Sequence, residues 1–349
     1  MRPLALVTGA PGWLGTRLAT TLVEGMPDVP ALAALEPRRV RCLILPGTSR
    51  AALAELPAGI ELVVGEVRDP RSLAAFVRGA EGATVFHACG VVATPRVRDF
   101  HDVNVEGTRH VLAAAGEANV ARVIGISSDT VVGWNRRADE IFDEQAPPNP
   151  HLHYGRSKKM MEDLLRETGA AGRVATVVVR PCRFYGPGQP QARSRFYRLI
   201  RLGRLPIFDR GNVCWSWSYV DNICQVALLA ERVERAAGET YWVADRRPYR
   251  VAEIVDTVER LLEREFGLPV SHRRLHVPAA VARVTAMVEL ALDRLGLRDE
   301  RIHAVAHLGA RVVCSIAKAE RELGYAPTIE LEEGLRRSIR WCLDHGHHL

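Results

Sequence analysis

The sequence predicts an α/β protein: a doubly wound parallel sheet followed by a smaller, mainly helical C-terminal substrate domain. Three observations predict it. Short Val-, Ile- and Leu-rich runs alternate with helix-period segments through residues 1–180, as strands buried on both faces and joined by crossover helices do. A glycine-rich loop follows the first run and opens the first helical pattern. After Arg180 the alternation stops, and Pro181, Gly186, Pro187, Gly188 and Pro190 crowd into a loop-rich exit.

In chain order, the candidate strands are Leu4–Val7, Val40–Leu45, Ile60–Val64, Thr84–His87, Val123–Ser127 and Val174–Val179. Leu14, Leu18 and Leu22 recur at i+4 behind the first strand, and Pro70 sits where a helix starts. A helix is expected over 154–168. A seventh strand, Thr240–Ala244, rejoins the sheet. Residues 1–180, with 219–244 returning to them, therefore form a dinucleotide-binding domain, and 181–349 a substrate-binding domain. Helices of the second part are expected over about 251–266, 278–295, 315–323 and 331–345.

Charge and cysteine usage narrow the function classes. The formal net charge of +6 is spread among acidic residues with no basic block, which argues against nucleic-acid binding. The seven cysteines have no CxxC and no metal-type spacing. Reduced thiols, a cytoplasmic location and no metal site are the expectation. No run approaches 18 uncharged apolar residues, so no membrane span is expected. The apolar stretch 277–288 suits a lid helix, or peripheral contact with a bilayer surface.

The loop Gly9-Ala10-Pro11-Gly12-Trp13-Leu14-Gly15 has the spacing GxxGxxG. Between a strand and a helix, glycines let the backbone approach a pyrophosphate, and the helix N-terminus offers free N–H groups. Gly9, Gly12, Trp13, Leu14 and Gly15 are the expected phosphate contacts. The end of the second strand reads Leu45-Pro46-Gly47-Thr48-Ser49-Arg50. It has no acid to hold a ribose 2′-hydroxyl, and Arg50 with Thr48 and Ser49 suits a 2′-phosphate, so NADP(H) is favoured over NAD(H).

Tyr154 and Lys158 stand at i and i+4, in a chain with only three lysines, Lys158, Lys159 and Lys318. On a helix they share one face. Ser128 ends the fifth strand, at the carboxyl edge where open α/β sheets bind ligands. A free phenol titrates at about 10, and an adjacent ammonium would lower it. Tyr154 then exchanges a proton with a carbonyl or hydroxyl oxygen that Ser128 also hydrogen-bonds.

With these motifs in place, nearly the whole chain resembles the extended short-chain dehydrogenases/reductases. The resemblance is carried by Thr8-Gly9-x-x-Gly12-x-x-Gly15, Ser128 before Val131-Val132-Gly133, Tyr154-x-x-x-Lys158, Arg180-Pro181-x-x-x-Tyr185-Gly186-Pro187, Tyr219-Val220-Asp221-Asn222 and Glu322-Leu323-Gly324-Tyr325. It implies Tyr154 as catalytic acid/base, with Lys158 lowering its pKa and binding the nicotinamide ribose. Ser128 orients the substrate oxygen, and Asn104 supports the site. Glu66-Val67 occupies the adenine position, and Ala88, Cys89 and Pro181 flank the cofactor. A homodimer is implied by the same resemblance.

Two positions depart from the nucleotide-sugar branch, which places Asn and Arg where this chain has Arg183 and Trp215. The arrangement looks more like the 3β-hydroxysteroid dehydrogenase and dihydroflavonol reductase branch. Thr130, Arg183, Trp215, Trp217 and Tyr219 are then expected on the substrate side. The implied activity is ketone–alcohol interconversion on an apolar small molecule. A nucleotide-sugar epimerase or dehydratase, and a non-catalytic dinucleotide sensor, are the alternatives.

Overall fold

The computed structural model describes residues 3–349 except 34, 36, 37 and 151. Its main strands are β1 (Leu4–Thr8), β2 (Arg39–Ile44), β3 (Glu61–Val64), β4 (Thr84–His87), β5 (Arg122–Ile126), β6 (Ala175–Pro181) and β7 (Thr240–Val243). They form a seven-stranded sheet in the order β7-β6-β5-β4-β1-β2-β3. Every pairing in it is parallel. Each strand lies within two residues of its expected span, and the seventh does return to the sheet, beside β6.

The strand order reverses between β1 and β4. That places the loops after these two strands side by side at the carboxyl edge, the position where such sheets leave a crevice. Side chains of β1 divide by strand period. Ala5 and Val7 join one buried cluster with Leu14, Leu18 and Leu22 of α1 (Trp13–Glu24). Leu4 and Leu6 face the other way, into a cluster with α2 (Pro70–Phe76), α3 (Gly107–Glu117) and α4 (His153–Ala170).

Beyond β6 the chain forms α5 (Gln191–Arg201), α6 (Val220–Arg232), α7 (Val251–Arg264), α8 (Ala279–Arg294), α9 (Glu300–Leu308) and α10 (Leu331–Asp344), with the short helix Ala317–Leu323 between the last two. A third buried cluster joins Tyr197 of α5, Ile254 and Val258 of α7, Leu335 and Ile339 of α10, and Trp215, Trp217 and Tyr219. Helices over 251–264, 279–294, 317–323 and 331–344 match the expected spans.

Helices α5, α6 and α9 were not predicted. Helix α6 is buried from Asn222 to Ala230. A helix without a polar face has no period to read. Helix α5 buries a narrow stripe, Ser194, Tyr197 and Ile200, within an Arg-rich stretch. Helix α9 buries only Ala306. Among the described residues no helix is long and apolar enough to cross a membrane. Helix α8 nevertheless leaves Val284, Met287 and Val288 exposed.

Candidate active site

The loop after β1 packs directly onto the end of β4. Gly9 has φ +93°, and a Cβ there would lie 2.7 Å from the Ala88 carbonyl carbon. A Cβ on Gly12 would lie 2.7 Å from the Gly9 oxygen. Only glycine fits this turn. Gly12 starts α1 without a side-chain cap, and no acidic residue occupies the first turn. The amides of that turn are left for an anion. The Trp13 indole donates to the Pro187 carbonyl at 2.6 Å, tying the glycine loop to the exit from β6.

These elements open onto one cavity of about 1250 Å³. That exceeds the usual volume for one drug-sized ligand, roughly 300–1,000 Å³. Gly9, Gly12, Trp13, Leu14, Gly15, Val67, Ala88, Cys89 and Pro181 all line it, so most of the expected cofactor contacts are brought together. Two are not. Arg50 is exposed in the first turn of the short helix Arg50–Ala54, outside the lining. Ser49 spends its hydroxyl capping that helix, accepting from the Ala52 amide. The Glu66 carboxylate turns away to pair with Arg68.

Ser128, Tyr154 and Lys158 also line the cavity. Ser128 lies two residues past β5, and its hydroxyl donates to Asp129 Oδ1 at 3.0 Å. It accepts from the Thr130 hydroxyl at 3.0 Å. Lys158 is buried, its ammonium donating to the Ile126 carbonyl at 2.7 Å and to Met161 Sδ at 3.3 Å. Burial lowers its pKa to about 8, against the raising influence of Cys89 and Glu162.

Asn104 is fully buried in a wide helical turn, Asp102–Glu106, and does not itself line the cavity. Its side chain exchanges two hydrogen bonds with the backbone of Val91, at 2.8 and 3.0 Å. It also donates to Ser157 Oγ at 2.9 Å. Ser157 in turn donates to the Tyr154 carbonyl. Asn104 thus fastens the loop after β4 to the first turn of α4.

The expected lowering of Tyr154 by Lys158 is not what the structure shows. Burial holds the phenol up at about 12, and the Asp129 charge adds to that. The influences that pull it down are a hydrogen bond with Ser128 and the charge of Arg193. Lys158 instead points to the Ile126 carbonyl. Arg193, in the first turn of α5, lines the cavity. Nothing local distinguished it in a chain that writes Arg almost everywhere.

On the substrate side, Thr130, Arg183, Trp215 and Trp217 line the cavity. The two indoles are also core residues, stacked with centroids 6.2 Å apart. Arg183 lies over Trp215 at 4.4 Å and donates to the His307 carbonyl. The Trp215 indole donates to the Ala310 carbonyl at 2.8 Å. Tyr219 is not in the lining. Its ring packs edge-on to Tyr185 and its amide donates to Asp245 Oδ1 at 2.9 Å. The exit from β6 is thereby fixed in the core.

Residues 5–244 match the family model described as the NAD dependent epimerase/dehydratase family. The chain belongs to that family. A Sinorhizobium fredii relative of undescribed activity is 39% identical, covering 99% of this chain and 96% of its own. A 4-hydroxy-2-methyl-3-oxo-4-farnesyl-3,4-dihydroquinoline-1-oxide ketoreductase from Stigmatella aurantiaca is 29% identical over 94% of this chain and 93% of its own. The solved dTDP-glucose 4,6-dehydratase of Streptomyces venezuelae, with NAD bound, is 26% identical with a TM-score of 0.72, covering 98% and 97% of the two chains. As a member of this NAD-dependent family, the protein is an oxidoreductase of the extended short-chain type. Its relatives divide between ketone chemistry and nucleotide-sugar chemistry.

Proposed function

We propose that the protein interconverts a ketone and a secondary alcohol on an apolar substrate, with Tyr154 as the acid/base and NADP(H) as the preferred nucleotide. The observation that carries this reading is the aromatic and aliphatic share of the lining of the cavity that holds Tyr154 and Ser128. It includes Phe100, Trp134, Phe196, Leu199, Trp215 and Trp217. Such side chains remove the apolar surface of a substrate from water. Arg183, where the nucleotide-sugar branch places Asn, lies over Trp215 and donates to the His307 carbonyl.

The glycine loop suits a dinucleotide: a Cβ on Gly9, Gly12 or Gly15 would clash with neighbouring backbone and force this turn open, and the first turn of α1 is uncapped. A nicotinamide nucleotide held there by Gly9, Gly12, Trp13, Leu14, Gly15 and Val67 supplies or accepts the hydride. Tyr154 gives a proton to the carbonyl oxygen in reduction and takes one in oxidation. Ser128, turning its hydroxyl from Asp129 Oδ1, donates a hydrogen bond to the same oxygen. Arg193 favours the phenolate, so it helps the oxidation direction. Lys158, anchored by the Ile126 carbonyl and Met161 Sδ, would offer its one remaining N–H to the nucleotide ribose. The absence of an acid after β2, with Thr48 in the cavity lining, supports NADP(H).

The test is nucleotide consumption by the purified protein, NADPH and NADH in parallel. The acceptor panel holds 3-oxoacyl, ketosteroid and aryl-ketone compounds, with dTDP- and UDP-sugars as the rival set. Turnover of apolar ketones with NADPH supports the reading. Conversion of the sugar nucleotides alone overturns it, and no turnover with tight nucleotide binding points to a sensor.

A further inference from the structure

Outside the catalytic cluster, the helix pair α8–α9 brings together Glu289, His303 and His307. The two histidines are one turn apart on α9, so their rings share a face, with centroids 4.0 Å apart. His303 Nδ1 lies 2.5 Å from Glu289 Oε1, and His307 Nε2 lies 3.8 Å from the same oxygen. One nitrogen or oxygen from each of the three falls within 4.8 Å of the others. Glu289 is only 7% exposed. Its other oxygen, Oε2, is buried and has no hydrogen-bond partner.

A buried carboxylate needs compensating charge. Among the ion pairs of the described residues, Glu289 has only these two histidines. Two imidazoles and one carboxylate are a donor set that zinc and its first-row neighbours take. Metal–ligand distances of about 2.0–2.2 Å put neighbouring donors of a tetrahedral site roughly 3.4 Å apart. An ion here would replace the short His303–Glu289 hydrogen bond, parting those atoms by about 1 Å, and draw His307 slightly inward. All three residues line the large cavity. The His307 backbone is held by Arg183, which donates to its carbonyl, and the Trp134 ring meets the His307 ring edge-on at 5.3 Å.

We propose that Glu289, His303 and His307 form a binding site for one divalent transition-metal ion of the zinc class, with its remaining coordination position open to the cavity. The ion joins α8 to α9 at the cavity wall and offers that position to an oxygen of a bound molecule. This goes beyond the ketone–alcohol reading and does not depend on it.

The test uses the full-length protein, stripped with chelator, then dialysed against ZnCl2 or CoCl2. Bound metal is counted per chain, the visible spectrum of the cobalt form is recorded, and the thermal midpoint is followed with added zinc. The expected result is one zinc per chain, a low-coordinate cobalt spectrum and a raised midpoint. Glu289→Gln and His303→Asn should each weaken zinc binding at least tenfold, while His347→Asn, in the C-terminal tail, should leave it unchanged. Absence of stoichiometric zinc would overturn the proposal. So would zinc binding insensitive to Glu289→Gln and His303→Asn, which would assign the metal to tail histidines or thiols. Should Glu289→Gln fail to fold, His303→Asn decides, because that ring is partly exposed; nucleotide binding serves as its folding check.

Discussion

Glu162 stands one turn beyond Lys158 on α4, and its removal should unseat the helix that carries the site. Its carboxylate is wholly buried and accepts from Ser127 Oγ at 2.6 Å, Arg180 Nε at 2.7 Å, Arg180 Nη2 at 2.6 Å and Arg166 Nη2 at 2.5 Å. Arg180 is equally buried, and its Nη1 has no hydrogen-bond partner of its own. Glu162→Leu therefore strands a guanidinium inside the protein, with the ring of Trp242, 5.7 Å from its carbon, as its remaining cationic contact. Breaking one side of a buried pair costs about 3–5 kcal/mol. Urea unfolding followed by tryptophan fluorescence should show that loss. Glu162→Leu combined with Arg180→Met should recover most of it, since an apolar replacement of both partners is often neutral. A single-variant loss under about 1 kcal/mol would refute the reasoning, because it would place the pair in the range of solvent-screened surface bridges. The sign with pH is also fixed. Burial would raise the carboxyl, but the hydrogen bonds and charge of Arg180, with Ser127 and Arg166, leave it below its ordinary value. The pair's contribution is present above the ordinary carboxyl range and is lost as pH falls through the lowered value.

Other outcomes follow from neighbouring residues. Lys158→Arg should cut turnover severely despite its equal charge. The planar fork cannot take the place of a compact ammonium on the Ile126 carbonyl, and steady-state kinetics with nucleotide titration would show it. Arg193→Gln should move the rise of alcohol oxidation to higher pH, because a charge that lowers the Tyr154 phenol is gone; an unmoved pH–rate profile would reject that role. His87 is fully buried between the Thr8 and Thr108 hydroxyls, and burial, then the Lys158 charge, lowers its pKa to about 3. The unfolded chain takes up that proton at about 6.5, so stability should fall as pH drops from there towards 3. His87→Gln should flatten the fall, measured as unfolding free energy at several pH values.

Most of the sheet was legible because parallel strands buried on both faces leave continuous apolar runs, as Val123–Ile126 and Val177–Val179 do. The glycine loop and the Ser128, Tyr154 and Lys158 positions were legible because their chemistry needs fixed residue types at fixed spacing. Contacts made by long side chains across elements were not. Lys158 reaches the Ile126 carbonyl instead of acting on the phenol, and Arg193 acts there from a helix whose narrow buried stripe is hidden in an Arg-rich stretch. The Glu162–Arg180 pair joins α4 to β6 through a distance of 18 residues that no local pattern marks. Glu66, Arg50 and Tyr219 sit at motif positions, yet each side chain turns to a neighbour, to solvent or into the core. His303 and His307 have helical spacing, but their meeting with Glu289 depends on how α8 folds back onto α9.

The most direct measurement is the rate of hydride transfer by Tyr154→Phe, with whichever apolar ketone the wild-type protein reduces. Nucleotide affinity is taken from the same preparation. Loss of general acid–base catalysis predicts a rate lower by about 10²–10⁴-fold, with nucleotide binding nearly unchanged, since the ring survives and only its hydroxyl is removed. A rate close to wild type would contradict the assignment of Tyr154 as the proton donor and acceptor.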